Sequence, residues 1–218
     1  MTPRVVVLSS PSGGGKTTIA KRILERYPAR FGYSVSATTR SPREGEKEGQ
    51  AYYFVSPETF GAWRNQGRFV ETAEYAGAWY GTLKREVEKV QQSGRHVLLD
   101  IEVDGTRQVR SAYPDSIRIF ILPASPRVLM QRLLDRKSES APEIWRRVER
   151  AQYELGEITA FDRLVRNDTV DRAVDRVVRI VEEGGGFRRE PGQLQWIEEF
   201  GNGLRDEAQR LYDQIHRR

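Results

Sequence analysis

The chain has 218 residues, a net charge of +5 from 36 basic and 31 acidic side chains, two histidines and no cysteine. That length supports one domain with a sizeable core plus an appended segment, and the missing thiols exclude a disulfide framework, a thiolate metal centre and a thiol nucleophile. Charged residues at 31% and strand-sized apolar runs leave nothing to span a membrane, and a chain that opens directly on a strand predicts a cytoplasmic protein.

The apolar run Val5-Val6-Val7-Leu8 reads as that first strand, and Thr18-Ile19-Ala20-Lys21-Arg22-Ile23-Leu24 as part of a helix starting near Lys16. Between them, Ser10-Pro11-Ser12-Gly13-Gly14-Gly15-Lys16-Thr17 reads as a phosphate-binding loop. Glycines let backbone N–H groups turn inward around phosphate oxygens, and the helix dipole favours negative charge at the same point. Candidate contacts to a nucleoside triphosphate are Ser12, Gly13, Gly14, Gly15, Lys16, Thr17 and Thr18, with Lys16 on the β and γ phosphates and the Thr17 hydroxyl on Mg²⁺. Ser10 stands where the usual pattern begins with glycine.

The first helix is expected to fade at Tyr27-Pro28, and residues 33–39 have the alternation of a single strand. Residues 40–50 carry charge without an apolar anchor and read as a solvated loop. Tyr52-Tyr53-Phe54-Val55 restores strand character, and Ser56-Pro57 reads as an N-cap with proline at the first helical position. Residues 68–82 look like a small aromatic-rich β region, followed by a helix over 83–92. His96-Val97-Leu98-Leu99-Asp100-Ile101 is the next buried strand, with Asp100 at the carboxyl end, where ligands gather in open α/β sheets.

Residues 117–122 form another strand, and Ser125-Pro126 opens a helix that runs to a break at 135–139. Ser140 with Glu143 gives a capping-box signature for the next helix, through Leu155. Residues 161–167 and 170–181 give the last strand and the last core helix. Gly184-Gly185-Gly186 marks a flexible joint. Beyond it, Leu194, Ile197, Phe200 or Leu204, Leu211 and Ile215 suggest helical segments interrupted by Gly201-Asn202-Gly203. Such a tail docks either on the core or on a second subunit, which makes it a candidate homo-oligomer contact.

A phosphate loop does not choose among ATPases, GTPases and kinases, so a second substrate must be sought elsewhere. Arg40, Arg43, Tyr52 and Tyr80 offer cationic forks and phenolic hydroxyls suited to a phosphate monoester. Glu71 and Glu102 are acceptors for the edge of a base, and guanine presents the N1–H and N2 amino pair that a carboxylate matches. Singly, each has a plain structural reading as solvated loop, core aromatic or polar strand face. Their joint placement carries the argument. The excess of positive charge suits an enzyme uniting two polyanionic nucleotides better than nucleic-acid binding, because the arginines form no single basic tract.

The run Ser34-Val35-Ser36-Ala37-Thr38-Thr39-Arg40-Ser41-Pro42-Arg43-Glu44-Gly45-Glu46 resembles the signature of bacterial-type guanylate kinases. Tyr52-Tyr53-Phe54-Val55, Trp79-Tyr80-Gly81-Thr82, Leu99-Asp100-Ile101-Glu102 and Val165-Arg166-Asn167-Asp168 extend the resemblance over about Val5 to Val181. It implies a P-loop NTPase-type three-layer α/β/α fold with a parallel central sheet, a small mixed β subdomain for GMP and a helical lid. The implied domain is 1–183, with a core of about 1–33, 83–135 and 148–183, a GMP subdomain of about 34–82 and a lid of about 136–147. A glycine-linked helical extension fills 184–218.

The resemblance further implies Mg-dependent phosphoryl transfer from ATP to GMP, and to dGMP, in the cytoplasm without nucleic acid or membrane. Arg40, Arg43, Tyr52 and Tyr80 would hold the GMP phosphate, and Ser36, Glu71, Thr82 and Glu102 would read guanine. Lid arginines Arg136 and Arg147 would join Lys16 in catalysis, with Asn167 near adenine. Glu102 stands where the family often has aspartate, and Lys137 where it often has glycine. Asp100 would hold Mg²⁺ through water or else orient Lys16 and Arg43. The rivals are a same-fold kinase for another phosphorylated acceptor, such as a ribose bisphosphate, and a catalytically silent module binding phosphorylated protein segments. Ser36, Glu71 and Thr82 argue against the first, since a base-reading set would be idle there, and the intact Gly15-Lys16-Thr17 with the lid arginines argues against the second.

Overall fold

The computed structural model describes residues 2–134, 141–183 and 192–216. Arg136, Lys137, the break at 135–139, Ser140 of the capping-box signature and the three glycines at 184–186 lie outside the described residues. In chain order the first elements are β1 (Val5–Ser9), α1 (Lys16–Arg26), β2 (Phe31–Tyr33), β3 (Ser36–Thr38), β4 (Tyr53–Phe54) and α2 (Pro57–Asn65). There follow β5 (Phe69–Tyr75), β6 (Ala78–Leu83), α3 (Lys84–Gln92), β7 (His96–Asp100) and α4 (Val103–Ala112). The second half holds β8 (Ile117–Pro123), α5 (Pro126–Leu134), α6 (Ala141–Gly156), β9 (Arg163–Asn167), α7 (Val170–Glu182) and α8 (Gln193–His216).

The strands form a five-stranded sheet in the order β2-β7-β1-β8-β9 and a four-stranded sheet in the order β4-β3-β6-β5. Pairing of β7 with β1 and β2, and of β8 with β9, is parallel. Parallel strands are covered on both faces, which is why Val5-Val6-Val7-Leu8 and Ile119-Phe120-Ile121-Leu122 are continuous apolar runs, all buried. The small sheet is mixed: β3 runs parallel to β4 and antiparallel to β6. No helix among the described residues is long and apolar enough to cross a membrane.

Packing divides the chain into two units, Met1–Leu8 with Ile23–Ile117, and Ser9–Arg22 with Arg118–Arg218. In the first, Val5, Val7, Val87, Val97, Leu99 and Val109 form one buried cluster, and Ala37, Phe60, Phe69 and Leu83 another. Phe60 stacks on Phe69 with centroids 4.5 Å apart, and Ser56 caps α2 by accepting from the Thr59 N–H. In the second, Phe120 meets Phe161 edge-on at 4.9 Å, and Ala173, Val174, Val177, Val178 and Val181 bury one side of α7.

Two local expectations change, and one helix is new. The single strand over 33–39 is two strands in two sheets, because the chain leaves the large sheet at Ser34, whose N–H bonds Leu98, and enters the small one at Ser36. Helix α4 was not legible, since Asp104, Gly105 and Thr106 are weak helix formers; Val103, Thr106 and Val109 bury its inner side. Helix α8 continues through Gly201-Asn202-Gly203. Phe200, Leu204 and Ala208 form a buried stripe along it, and the helix packs on α5 and α6. A Cβ at Gly203 would lie 2.9 Å from Pro126 Cγ, so this glycine lets the helices approach, and the stripe outweighs a glycine cost of about 1 kcal/mol.

One buried ion pair pins β8 beside β9. The Asp162 carboxylate accepts from the Arg118 backbone N–H at 2.9 Å, from Nε at 2.9 Å, and from its terminal nitrogen. Removing one partner strands the other charge away from water. Asp162→Ala should therefore destabilise the fold by about 3–5 kcal/mol, read as a fall in the urea midpoint; a change below about 1 kcal/mol would show the pair to be dispensable.

Candidate nucleotide sites

In the second unit, the loop after β1 turns on itself through the Gly14 N–H to Pro11 carbonyl bond at 2.7 Å. Gly13 and Gly15 take φ of 83° and 95°, a left-handed region costly for residues with a Cβ. Ser10 is buried, donates its hydroxyl hydrogen to the Pro11 carbonyl at 3.0 Å, and lies where a Cβ on Gly14 would be only 2.6 Å away. The serine thus occupies the space beside Gly14, and the loop keeps its turn without a first glycine. Lys16, Thr17 and Thr18 open α1, with Lys16 half-buried and both threonines exposed, so their N–H groups belong to the first turn, whose donors have no partner within the helix ladder.

Four side chains from distant sequence reach this loop. Asn167, at the end of β9, is buried and donates Nδ2–H to the Gly14 carbonyl at 3.1 Å. Arg132 of α5 reaches the Gly13 and Gly14 carbonyls at 3.3 and 3.4 Å. Glu154 of α6, fully buried, accepts the Ser12 N–H at 2.9 Å. Arg147, also on α6, donates to the Leu133 carbonyl at 2.8 Å and to Ser12 Oγ at 3.5 Å. Sequence reasoning named Asn167 and Arg147 but missed Arg132 and Glu154. For Glu154 there was a signal: an acid inside the apolar stripe Val148, Ala151, Leu155 needs a buried partner.

In the first unit, register assembles the other set. Ser36 pairs with Thr82 across β3 and β6, and Thr82 pairs with Glu71 across β6 and β5, past an irregularity between Phe69 and Glu71. The three side chains make a row across the small sheet. Glu71 Oε1 accepts from the Thr82 N–H at 3.0 Å and the Thr82 hydroxyl at 2.7 Å. Gly105 of α4 leaves room for this carboxylate, since a Cβ there would sit 2.3 Å from Oε2. Burial raises the Glu71 pKa to about 7, against the lowering from Thr82, and the Glu102 charge adds to the rise. Glu102 itself is half-buried at the head of α4.

Two residues along the same strands lies the phosphate-type set. Tyr80 pairs with Thr38, and its ring meets Tyr52 edge-on at 5.8 Å. The Arg40 guanidinium lies over Tyr52 at 5.5 Å and is forked by Glu46, NH1 to Oε2 and NH2 to Oε1, both at 2.9 Å. The Arg43 N–H also donates to Glu46, at 2.7 Å, while its side chain is exposed. Glu46 is thereby held below the usual carboxylate range, chiefly by Arg40, and Arg40 is raised in turn by Glu46. Asp100 ends β7 in register with Leu8, and its charge, after burial, pushes the Tyr33 hydroxyl upward.

The arrangement offers an anion cradle of backbone and cations in one unit, and a base-edge carboxylate beside a fork for phosphate in the other. No group of three His, Cys, Asp or Glu that could hold a metal occurs among the described residues. A lone Thr17 hydroxyl at the head of α1 nevertheless suits Mg²⁺, which keeps several waters and takes few protein oxygens alongside substrate phosphates.

The guanylate kinase family model matches residues 2–184. A guanylate kinase of Synechocystis sp. is 47% identical over 180 residues, covering 83% of this chain and 94% of that relative. A guanylate kinase of Rubrobacter xylanophilus is 42% identical over 178 residues, covering 82% and 93%. The crystal structure of guanylate kinase from Anaplasma phagocytophilum aligns with a TM-score of 0.69 at 29% identity, covering 91% of this chain and 94% of that one.

Proposed function

The chain belongs to the guanylate kinase family and transfers a phosphoryl group from ATP to GMP, and from that premise we propose that its two units divide the nucleotides between them. ATP belongs to the second unit, on Ser12, Gly13, Gly14, Gly15, Lys16, Thr17 and Thr18, with Asn167 and Arg132 supporting the loop. GMP belongs to the first, with Arg40, Arg43, Tyr52 and Tyr80 on its phosphate and Ser36, Glu71, Thr82 and Glu102 around guanine. The observation that carries the assignment is the row Ser36, Thr82, Glu71 ending in a buried carboxylate.

The chemistry needs little from the protein beyond placement. With a second pKa of about 6, as for phosphoserine, GMP is largely a dianion at neutral pH and attacks without a general base. Lys16, Arg136 and Arg147 would neutralise charge on the transferring group, and the fixed geometry would hold donor and acceptor in line. Thr17 would hold Mg²⁺, which would supply charge neutralisation for the ATP phosphates. A core of about 1–33, 83–135 and 148–183, a GMP subdomain over 34–82 and a lid over 136–147 are the working partition. Closure of the latter two would exclude water that otherwise hydrolyses ATP.

This reading keeps the protein in the cytoplasm, makes dGMP a second acceptor and leaves out nucleic acid and membranes. The substrate test is a coupled ADP-release assay with ATP, Mg²⁺ and each of GMP, dGMP, AMP, CMP and UMP. GMP should dominate; GMP turnover no higher than the ATP-only background would sink the assignment. Comparing solution mass with and without residues 187–218 tests a homo-oligomer through the extension.

A further inference from the structure

We propose that Glu154 is a positioning residue for phosphoryl transfer, fixing the phosphate loop through the Ser12 N–H and tying that loop to helix α6. The inference rests on the assignment of ATP to this loop. A buried carboxylate is costly to keep even when paired, and this one is 0% exposed next to a site meant for a polyanion, where its charge opposes binding. Its worth must therefore come from geometry. Glu154 Oε2 takes the Ser12 N–H at 2.9 Å, and Oε1 takes Arg150 Nε–H at 3.0 Å one turn back on the same helix. The arginine fixes the carboxylate plane and the carboxylate fixes the loop.

The consequence is a division of labour among the loop's N–H groups. That of Ser12 goes to Glu154 and that of Gly14 to the Pro11 carbonyl. Both are spent on the shape of the turn. Phosphate oxygens are then met by the other donors of the loop and by those at the start of α1, where the helix field is strongest. Glu154 also lies seven residues after Arg147, two turns along one face of α6. Arg147 reaches Ser12 Oγ, so α6 grips one residue of the loop from two successive levels. Moving α6 moves Ser12 with it. A residue in this role sets the height and tilt of the cradle without touching the reacting atoms.

Two measurements test this. In the nucleotide-free wild-type protein, amide exchange resolved by NMR should show the Ser12 N–H at least tenfold slower than those of Thr17 and Thr18, which open α1. Equal exchange would overturn the proposal, whatever the behaviour of any variant. In steady state, Glu154→Ala should raise KM for ATP about tenfold and lower kcat about tenfold, with KM for GMP within about twofold of wild type. Glu154→Gln, which keeps an acceptor oxygen for Ser12, should recover most of that loss. A folded Glu154→Ala with unchanged ATP constants, or ATP and GMP constants that shift together, would reduce Glu154 to a packing role. So would Glu154→Gln as impaired as Glu154→Ala. Lys16→Met run alongside separates the two failures: if it leaves ATP turnover intact, the loop is not the ATP site, and the fault lies with the assignment.

Discussion

Lys16→Met should leave a folded protein that binds GMP within about twofold of wild type yet transfers phosphoryl groups more slowly by roughly 10³-fold. Methionine keeps an unbranched stem of similar length and removes the ammonium. Lys16 is the first residue of α1, so its charge stands at the helix end whose field already favours anions. Charge on the transferring group grows in the transition state, and that is where the missing cation is felt most. The set proposed for GMP lies in the other unit, which is why its affinity should survive. Two titrations and one assay decide it. Loss of GMP binding in a folded variant, or turnover above about a tenth of wild type, would contradict the division proposed.

Glu71→Gln should cut kcat/KM for GMP by roughly 100-fold and bring AMP and GMP closer as substrates by a similar factor. Guanine presents two donors to a carboxylate that accepts at both oxygens; an amide replaces one acceptor with a donor, which adenine can use. The same substitution should change stability, through burial. The Glu71 pKa is about 7 in the fold against about 4.3 in a flexible chain. The folded state therefore holds a proton that the unfolded state has released. Stability is greatest below pH 4 to 5 on this account and declines as pH rises to 7, by on the order of 3 kcal/mol. Glutamine does not titrate, so the variant should lose that share of the decline between pH 5 and 8 in urea unfolding. An unchanged pH profile would mean Glu71 is already ionised in the empty site. The proposed contact to guanine needs the ionised form, so GMP affinity of the wild type should rise with pH up to about 7.

Much of this is legible in local sequence. The phosphate loop, the Ser56 cap, the strand at His96 and the helix after Ser125 are local events, set by glycine, capping hydroxyls and apolar runs within a few residues. The row of Ser36, Thr82 and Glu71 was legible only as separate residues, since nothing local says that two antiparallel pairings will align them. Glu46 appeared in the sequence as part of a charged loop, while its fork on Arg40 depends on a turn that brings position 46 back over position 40. Arg132 and Glu154 were hidden for the same reason at greater range. Helix α4 was masked by weak propensities that burial against β5 overrides, and α8 by glycines that turned out to permit contact.

The long-range grip on the phosphate loop also dictates an order of events during synthesis. The loop leaves the ribosome before the side chains that shape it, which arrive with Arg132, Glu154 and Asn167. At about 5–20 residues per second, the glycine-rich turn waits roughly 10–30 s for its last support. During that interval Ile23 to Ile117, apart from the short β1 already made, contain everything the first unit requires. The residues proposed for the acceptor nucleotide are therefore all synthesised well before the phosphate loop has its supports.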